Sequence, residues 1–448
     1  MALAADVDVA VAGVAAVAAD PSLPGWATAD PAIERTDLPS GVRVVTERMP
    51  EARSVSAGLW FGVGSRDEPA RVAGASHFLE HLLFKGTPER SARSIAIAVD
   101  AVGGEVNAYT SREHTAYYTR LPVAQLRFGL DLLVDVVSDP AFRPGEIDAE
   151  REVIVEELLM SEDTPDDLVF TALYESLFPD HPVGRETLGT RATVEGMTRD
   201  DIVGFHDRWY RPANLVVAAA GQLHHEEVLD AVVGLLGEGP LGEAPERTAP
   251  DAGVTPLSVV HRPTEQVHLA LGWHALAIGD DDRYALTVAN QVMGGGLSSR
   301  LFQEVREERG LAYTVFSGPS AYSDTGSLSV YAGTVPERLD ELITVVEGVL
   351  DDLLAHGITD DEHAVALGYV EGSMLLGLED SGSRMTRLAN GVVSRDEVIP
   401  IDEHLRRYRS VTRDDVHRVL RRVLDGPRAA SVVGPLDEGS PLLRRLAG

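Results

Sequence analysis

The 448-residue sequence has no cysteine, which excludes disulfides, thiolate metal ligands and thiol nucleophiles. Any metal must therefore be held by histidine and carboxylate. Basic side chains are scarce: 39 Lys plus Arg stand against 71 Asp plus Glu, a formal charge of -32. A field of that sign repels phosphate backbones and anionic lipid, so nucleic-acid and membrane partners are not expected, and basic partners are favoured. No apolar run reaches the roughly 18 residues that a transmembrane helix needs. The opening stretch MALAADVDVAVAGVAAVAA carries Asp6 and Asp8 and lacks the basic start of a secretory signal, and its acids are equally unlike a transit peptide. It reads as an unstructured leader over residues 1–30, and the expected compartment is the bacterial cytoplasm. The remainder is globular in composition, with 44% hydrophobic and 25% charged residues.

The length allows two to four domains at roughly 100–200 residues each. GEGPLGEAPERTAPDAGVTP, residues 237–256, has no apolar periodicity and reads as a linker between an N-terminal unit, 31–236, and a C-terminal unit, 257–448. The two share a loose plan that reads as a degenerate duplication. In each, an alternating strand (Ser54 to Gly62; Val267 to Gly272) is followed by an acidic loop (GSRDEP at 64–69; GDDDR at 279–283) and an amphipathic helix. Asn214 to Ala220, ending at Gly221, is a further strand, so both halves mix α and β layers. Strand direction stays open at this level.

The sharpest motif is HFLEH, His77 to His81. At 100° per residue, His77, Glu80 and His81 fall within one arc of roughly 100°, and Phe78, Leu79, Leu82 and Leu83 take the opposite side. Two imidazoles at i and i+4 can face one ion, with Glu80 beside them in reach of a water at the open position. The order HxxEH is the inverse of HExxH. A catalytic zinc needs a third protein ligand. In EIDAEREVIVEELLMSE, 146–162, Glu150, Val153, Ile154 and Glu157 project onto one stripe, so two carboxylates interrupt an apolar face. Either is a candidate ligand. They lie about 10.5 Å apart along the axis, so one helix can scarcely bring both to one ion; the other is expected to support the ligands.

HFLEH followed by Glu157 resembles the pitrilysin-type metallopeptidases, with bacterial relatives of mitochondrial processing peptidase the most similar. The resemblance runs through GGEVNAYTSREHTAYY (103–118), DHPVGRETLG (180–189), RWYRPANLVVAAAG (208–221) and GGGLSSRLFQEVREERGLAYTVFSG (294–318). It implies one Zn2+ on His77, His81 and Glu157, Glu80 as general base, and Glu150 as the supporting acid. It implies an α+β fold of two homologous domains, each a mainly antiparallel sheet with helices packed on it, facing each other around a substrate chamber. Asn107, Ala108 and Tyr109 then belong to an edge strand that a peptide joins, Arg306 and Tyr313 reach the substrate, and His181 lies near the site. The implied activity is zinc-dependent endopeptidase action on unfolded peptides or presequence-like segments by a homodimer, and the acidic balance adds an expectation of basic residues near the cleavage site. The alternatives are a noncatalytic scaffold or assembly subunit, and a peptide-binding protein with a structural zinc. Glu113 and His114 have the character of solvated strand-end residues, His224 and His225 that of a surface loop, and Gly294 to Gly296 that of a helix cap and loop.

Overall fold

A computed structural model describes residues 33–236, 242–436 and 441–446. The leader expected over 1–30 and residues 237–241 of the expected linker lie outside the described residues. The first half contains strands β1 (Ile33–Asp37), β2 (Arg43–Arg48), β3 (Ser54–Phe61), β4 (Glu105–Thr110), β5 (Thr115–Pro122) and β6 (Leu215–Gly221). Its helices are α1 (Ala75–Leu83), α2 (Ala92–Ala101), α3 (Leu126–Ser138), α4 (Pro144–Asp163), α5 (Pro165–Leu177), α6 (Arg191–Gly196), α7 (Arg199–Trp209) and α8 (His225–Leu236). The second half contains β7 (Leu257–His261), β8 (Val267–Ala275), β9 (Val315–Ala321), β10 (Gly326–Thr334) and β11 (Arg428–Gly434). Its helices are α9 (Arg283–Met293), α10 (Leu339–His356), α11 (Asp360–Gly377), α12 (Ser381–Arg395), α13 (Ile401–Ser410), α14 (Arg413–Leu424) and α15 (Pro441–Leu446).

The duplication is explicit in the topology. The first sheet runs β1-β2-β6-β3-β5-β4 and the second β7-β11-β8-β10-β9, the same order once β1 is set aside. Each sheet has one parallel pair, β2 with β6 and β7 with β11, and is otherwise antiparallel. Central strands are apolar on both faces because both faces are covered. In LVVAAAG of β6, Leu215, Val217 and Ala219 enter one core, and Val216, Ala218 and Ala220 enter another.

The second cover of each sheet comes from the opposite half. α12 lays Met385, Leu388, Ala389 and Val392 on Val45, Trp60, Ala116 and β6 of the first sheet. Reciprocally, α5 lays Val169, Leu173 and Leu177 on Ala270, Ala429 and Val433 of the second sheet. Gly272 leaves room for α5, since a Cβ there would stand 2.8 Å from Leu177 Cδ1. The halves are consecutive in sequence yet interlocked in space.

Several local expectations are corrected. The buried stripe of α4 is Ile147, Glu150, Ile154 and Leu158, whereas Val153 is 43% exposed and Glu157 lies on its flank. His225 is no surface-loop residue: it opens α8, buried between the hydroxyls of Thr36 and Thr46, each 2.9 Å from a ring nitrogen. The segment around Arg306, Phe302–Glu307, is a π-helix. Gly294 is the C-cap of α9, as a cap-and-loop reading requires.

The described part of the linker, from residue 242, has no regular structure but is tied to both halves. Arg247 pairs with Asp67 at 2.8 Å and donates to the Glu113 carbonyl, while the Thr248 carbonyl accepts from Arg66 at 2.7 Å. Arg66, its side chain only 2% exposed, bridges Glu113 of the first half and Asp324 of the second at 2.6 Å each. Glu113 also accepts from the Ser323 N–H and hydroxyl. Solvation therefore does not describe Glu113, nor His114, whose imidazole burial holds down at about 4.

Candidate metal centre

Helix α1 carries HFLEH and starts without a capping side chain of its own. Its N-cap, Gly74, adopts φ +96, and a Cβ there would meet the Leu188 carbonyl at 2.5 Å, so both conformation and space call for glycine. The helix-end N–H groups are instead taken by Glu68, whose two oxygens accept from Gly74 N at 2.6 Å and Ser76 N at 2.7 Å. Burial pushes the Glu68 carboxyl up to about 8, opposed by those donors and by Arg185. Phe78, Leu79, Leu82 and Leu83 are buried in the core. The polar arc must therefore face outward, toward α4.

There the three candidate ligand atoms converge. Glu157 Oε2 stands 3.6 Å from His77 Nε2 and 3.5 Å from His81 Nε2. Donors about 2.0–2.2 Å from one tetrahedral centre are roughly 3.3–3.6 Å apart, so these residues fit a zinc ion with an open fourth position. It is the one group of three or more His, Asp or Glu of metal-binding geometry among the described residues. Burial, and to a smaller degree His81, holds the His77 imidazole at about 4, so it is neutral and ligand-competent at pH 7.

Glu150 reaches the same histidine from behind. Its Oε2 lies 3.1 Å from His81 Nδ1, and its Oε1 lies 2.6 Å from Lys85 Nζ. A proton held on Nδ1 by this carboxylate leaves the Nε2 lone pair facing Glu157. Two acids two helical turns apart thus meet one imidazole at opposite nitrogens, which resolves the spacing problem posed by α4. Lys85 is the only lysine in the sequence.

Glu80 turns toward the sheet edge. Thr110, the last residue of β4, donates its hydroxyl to Glu80 Oε2 at 2.7 Å. Burial raises the Glu80 carboxyl above its ordinary value, against this hydrogen bond. β4 is the outer strand of its sheet. Ala108 N donates to its neighbour's side chain, Asn107 Oδ1, at 2.8 Å, so this N–H points away from β5 along the unpaired edge. Tyr109 projects to the far face, where its hydroxyl accepts from Trp60 Nε1 at 3.0 Å.

A cleft of about 730 Å³ opens from His77 and Glu157 between the halves. Asp167 and Glu186 line it on one side, Phe316, Gly318 and Ser320 on the other, with Arg112 at the junction. Arg306 stacks on Phe302 and Tyr313 at 4.8 and 4.6 Å, and Tyr313 is 78% exposed; neither Arg306 nor Tyr313 is in the cleft lining. His181 is also outside it, bonded to the linker at Thr248 O. Sequence reasoning missed Glu68, Lys85, Thr110 and Arg112. Lys85 alone had a local signal, standing one helical turn beyond His81.

Comparisons with known proteins agree with this geometry. Residues 43–191 match the model of the insulinase family (peptidase family M16), and residues 196–367 match that of the peptidase M16 inactive domain. An uncharacterized zinc protease of Mycobacterium tuberculosis is 44% identical over 422 residues, 92% of this chain and 96% of the relative. One from Bacillus subtilis is 36% identical over 403 residues, covering 90% and 98%. Among solved structures, a protease from Helicobacter pylori superposes with a TM-score of 0.84 at 23% identity, covering 90% of this chain and 99% of that one. A peptidase M16 inactive domain protein from Pseudomonas fluorescens gives 0.85 at 21%, covering 92% and 99%, and both likenesses bear on the fold. The chain belongs to the insulinase (M16) family, whose relatives at 44% identity are named zinc proteases.

Proposed function

We propose that the protein is a zinc-dependent endopeptidase for unfolded peptides or presequence-like segments, with a preference for basic ones. The observation that carries the reading is the convergence of His77, His81 and Glu157 beside Glu80, at an open cleft and an unpaired strand edge. The family model named for an inactive domain begins at residue 196, past the whole metal centre, so that name does not count against catalysis in the first half. On this reading residues 31–236 form the catalytic unit, and residues 257–448 complete the chamber.

Zinc, when bound, supplies a Lewis acid that polarises the scissile carbonyl and makes water nucleophilic near pH 7. Glu80 accepts the proton of the attacking water and returns it to the leaving amine. Its raised pKa, caused by burial, suits both halves of that exchange. Thr110 holds the carboxylate in place. Glu150 and Lys85 orient His81. A peptide lies along β4 by β-augmentation, displacing Asn107 from the Ala108 N–H. Assigning Arg306 and Tyr313 to substrate requires that they meet the peptide outside this cleft.

The acidic lining at Asp167 and Glu186 and the charge of -32 support a basic substrate. Pairing of two copies is part of the proposal, and sedimentation would read it as a dimer-sized species. No helix among the described residues is long and apolar enough to cross a membrane, in keeping with action in the bacterial cytoplasm.

The deciding test compares the protein with Glu80→Gln on a library of short basic and neutral peptides at equal zinc content. The expected result is cleavage by the parent and a loss of at least about 100-fold in the variant. Zinc binding without turnover by either protein would instead favour a scaffold or a peptide binder with structural zinc.

A further inference from the structure

The chain has 71 acidic side chains for 39 basic ones, and its guanidinium groups are mostly engaged by carboxylates, as at Arg66, Arg247 and Arg300. Arg112 differs. It is the only Lys or Arg in the lining of the cleft that opens from His77 and Glu157, and no carboxylate lies within 4.0 Å of it among the described residues. Its stem is fixed: Nε donates to the Val183 carbonyl at 2.7 Å, and the guanidinium carbon sits 4.2 Å over the ring of Tyr174. Neither Nη nitrogen has a hydrogen-bond partner among the described residues, nor is either among the sealed polar atoms. The result is a half-buried, pre-oriented fork of free N–H donors facing the cleft. Such a fork matches the two oxygens of a carboxylate.

Position adds a register. Arg112 lies two residues beyond Thr110, where the outer strand β4 ends beside Glu80. The chain turns back into β5 after Thr110, so Arg112 stands in the turn beyond the strand end, and a strand laid on the β4 edge that continues past Glu80 enters the same cleft that the fork faces.

We propose that Arg112 is a specificity-determining residue that binds a carboxylate of the peptide. That carboxylate is either the C-terminus or an Asp or Glu side chain near the scissile bond. With Asp167 and Glu186 on the same cleft, the site selects peptides that are basic overall and carry one anionic group in register. The inference rests on the peptidase reading, and the experiment separates the two.

The test measures binding by fluorescence anisotropy to the full-length, zinc-loaded Glu80→Gln chain, which retains ligand without cutting it. The probes are one basic peptide as its free acid, as its C-terminal amide, and as amides carrying a single Glu walked through successive positions. The free acid, or one Glu position, should bind about 10- to 100-fold more tightly than the plain amide. Preference for the free acid identifies the C-terminus; preference for one Glu position identifies a side chain. Adding Arg112→Gln should abolish the preference, so that all probes bind alike, and Arg112→Lys should restore part of it. Equal binding of all probes, or a preference that survives Arg112→Gln, overturns the inference and leaves the peptidase reading standing. Failure of every probe to bind, with no cleavage by the parent, overturns both. Equal binding across the probe series on the Arg112-intact protein overturns the inference even if the Arg112 variants do not fold.

Discussion

The two halves share one strand order and differ in what the helix after the third strand of that plan carries. In the first half β3 leads to α1, whose outward face holds His77, Glu80 and His81. In the second β8 leads to α9, RYALTVANQVM, where Tyr284, Ala285, Leu286, Val288, Ala289, Gln291, Val292 and Met293 are all buried. α1 stands against α4, which brings Glu150 and Glu157 to its histidines, and α9 is simply packed. The scaffold therefore does not make the site; a few side chains grafted on one copy do. The second copy contributes a wall of the cleft, through Phe316 and Ser320, and a helix that covers the first sheet.

That reciprocity can be broken. Leu173 of α5 and Leu388 of α12 are both fully buried on the opposite half's sheet. Leu173→Ala and Leu388→Ala should each cost about 2–5 kcal/mol. Hydrogen exchange should show protection lost in β8 and β11 for the first and in β3 and β6 for the second. Loss confined to the mutated residue's own half would refute the interlock.

Arg66→Met removes the cation between Glu113 and Asp324. A broken buried pair costs about 3–5 kcal/mol, and the lower end, about 3, applies because Asp324 keeps 24% of its side chain exposed. The urea midpoint should fall accordingly, with α5 and α12 still joining the halves.

A third expectation concerns acid. Burial holds His114 at about 4, below its ordinary 6.5. Between those values the unfolded chain binds a proton that the fold does not, so this contribution is complete above pH 6.5 and disappears as pH falls toward 4. It amounts to about 2–3 kcal/mol. Urea midpoints for the protein and His114→Phe, taken from pH 7.5 to 4.5, should shift in the variant's favour toward the acid end, because only the parent's unfolded state gains that proton; parallel curves would refute the assignment.

The smallest effect sharpens the first comparison. Glu150→Gln keeps the shape behind His81 but weakens its hold on the Nδ1 proton and on Lys85, and zinc affinity should drop about 10- to 100-fold. A competitive chelator titration reads this directly, and unchanged affinity would reduce Glu150 to packing.

Much was legible locally. HFLEH needs only helical periodicity to place two imidazoles and a carboxylate on one arc, and LVVAAAG reads as a strand ending at its glycine. The duplication was visible as strand, acidic loop and helix in each half. The α4 stripe was partly misread, because projection angles cannot tell Val153 at the surface from Ile147 in the core. Glu113, His114 and His225 were misjudged because polar residues at element ends are usually solvated, and here distant partners covered them.

By itself, the sequence determined the elements, the duplicated plan and the metal-binding motif, since each rests on spacing within one helix or strand. Tertiary structure alone decided that Glu157 faces both Nε2 atoms while Glu150 takes Nδ1, that Glu68 caps α1, that each half covers the other's sheet, and that Arg112 has no carboxylate beside it among the described residues. Each depends on where chain segments far apart in sequence meet, and the approach of one packed surface to another is not encoded in the period of either.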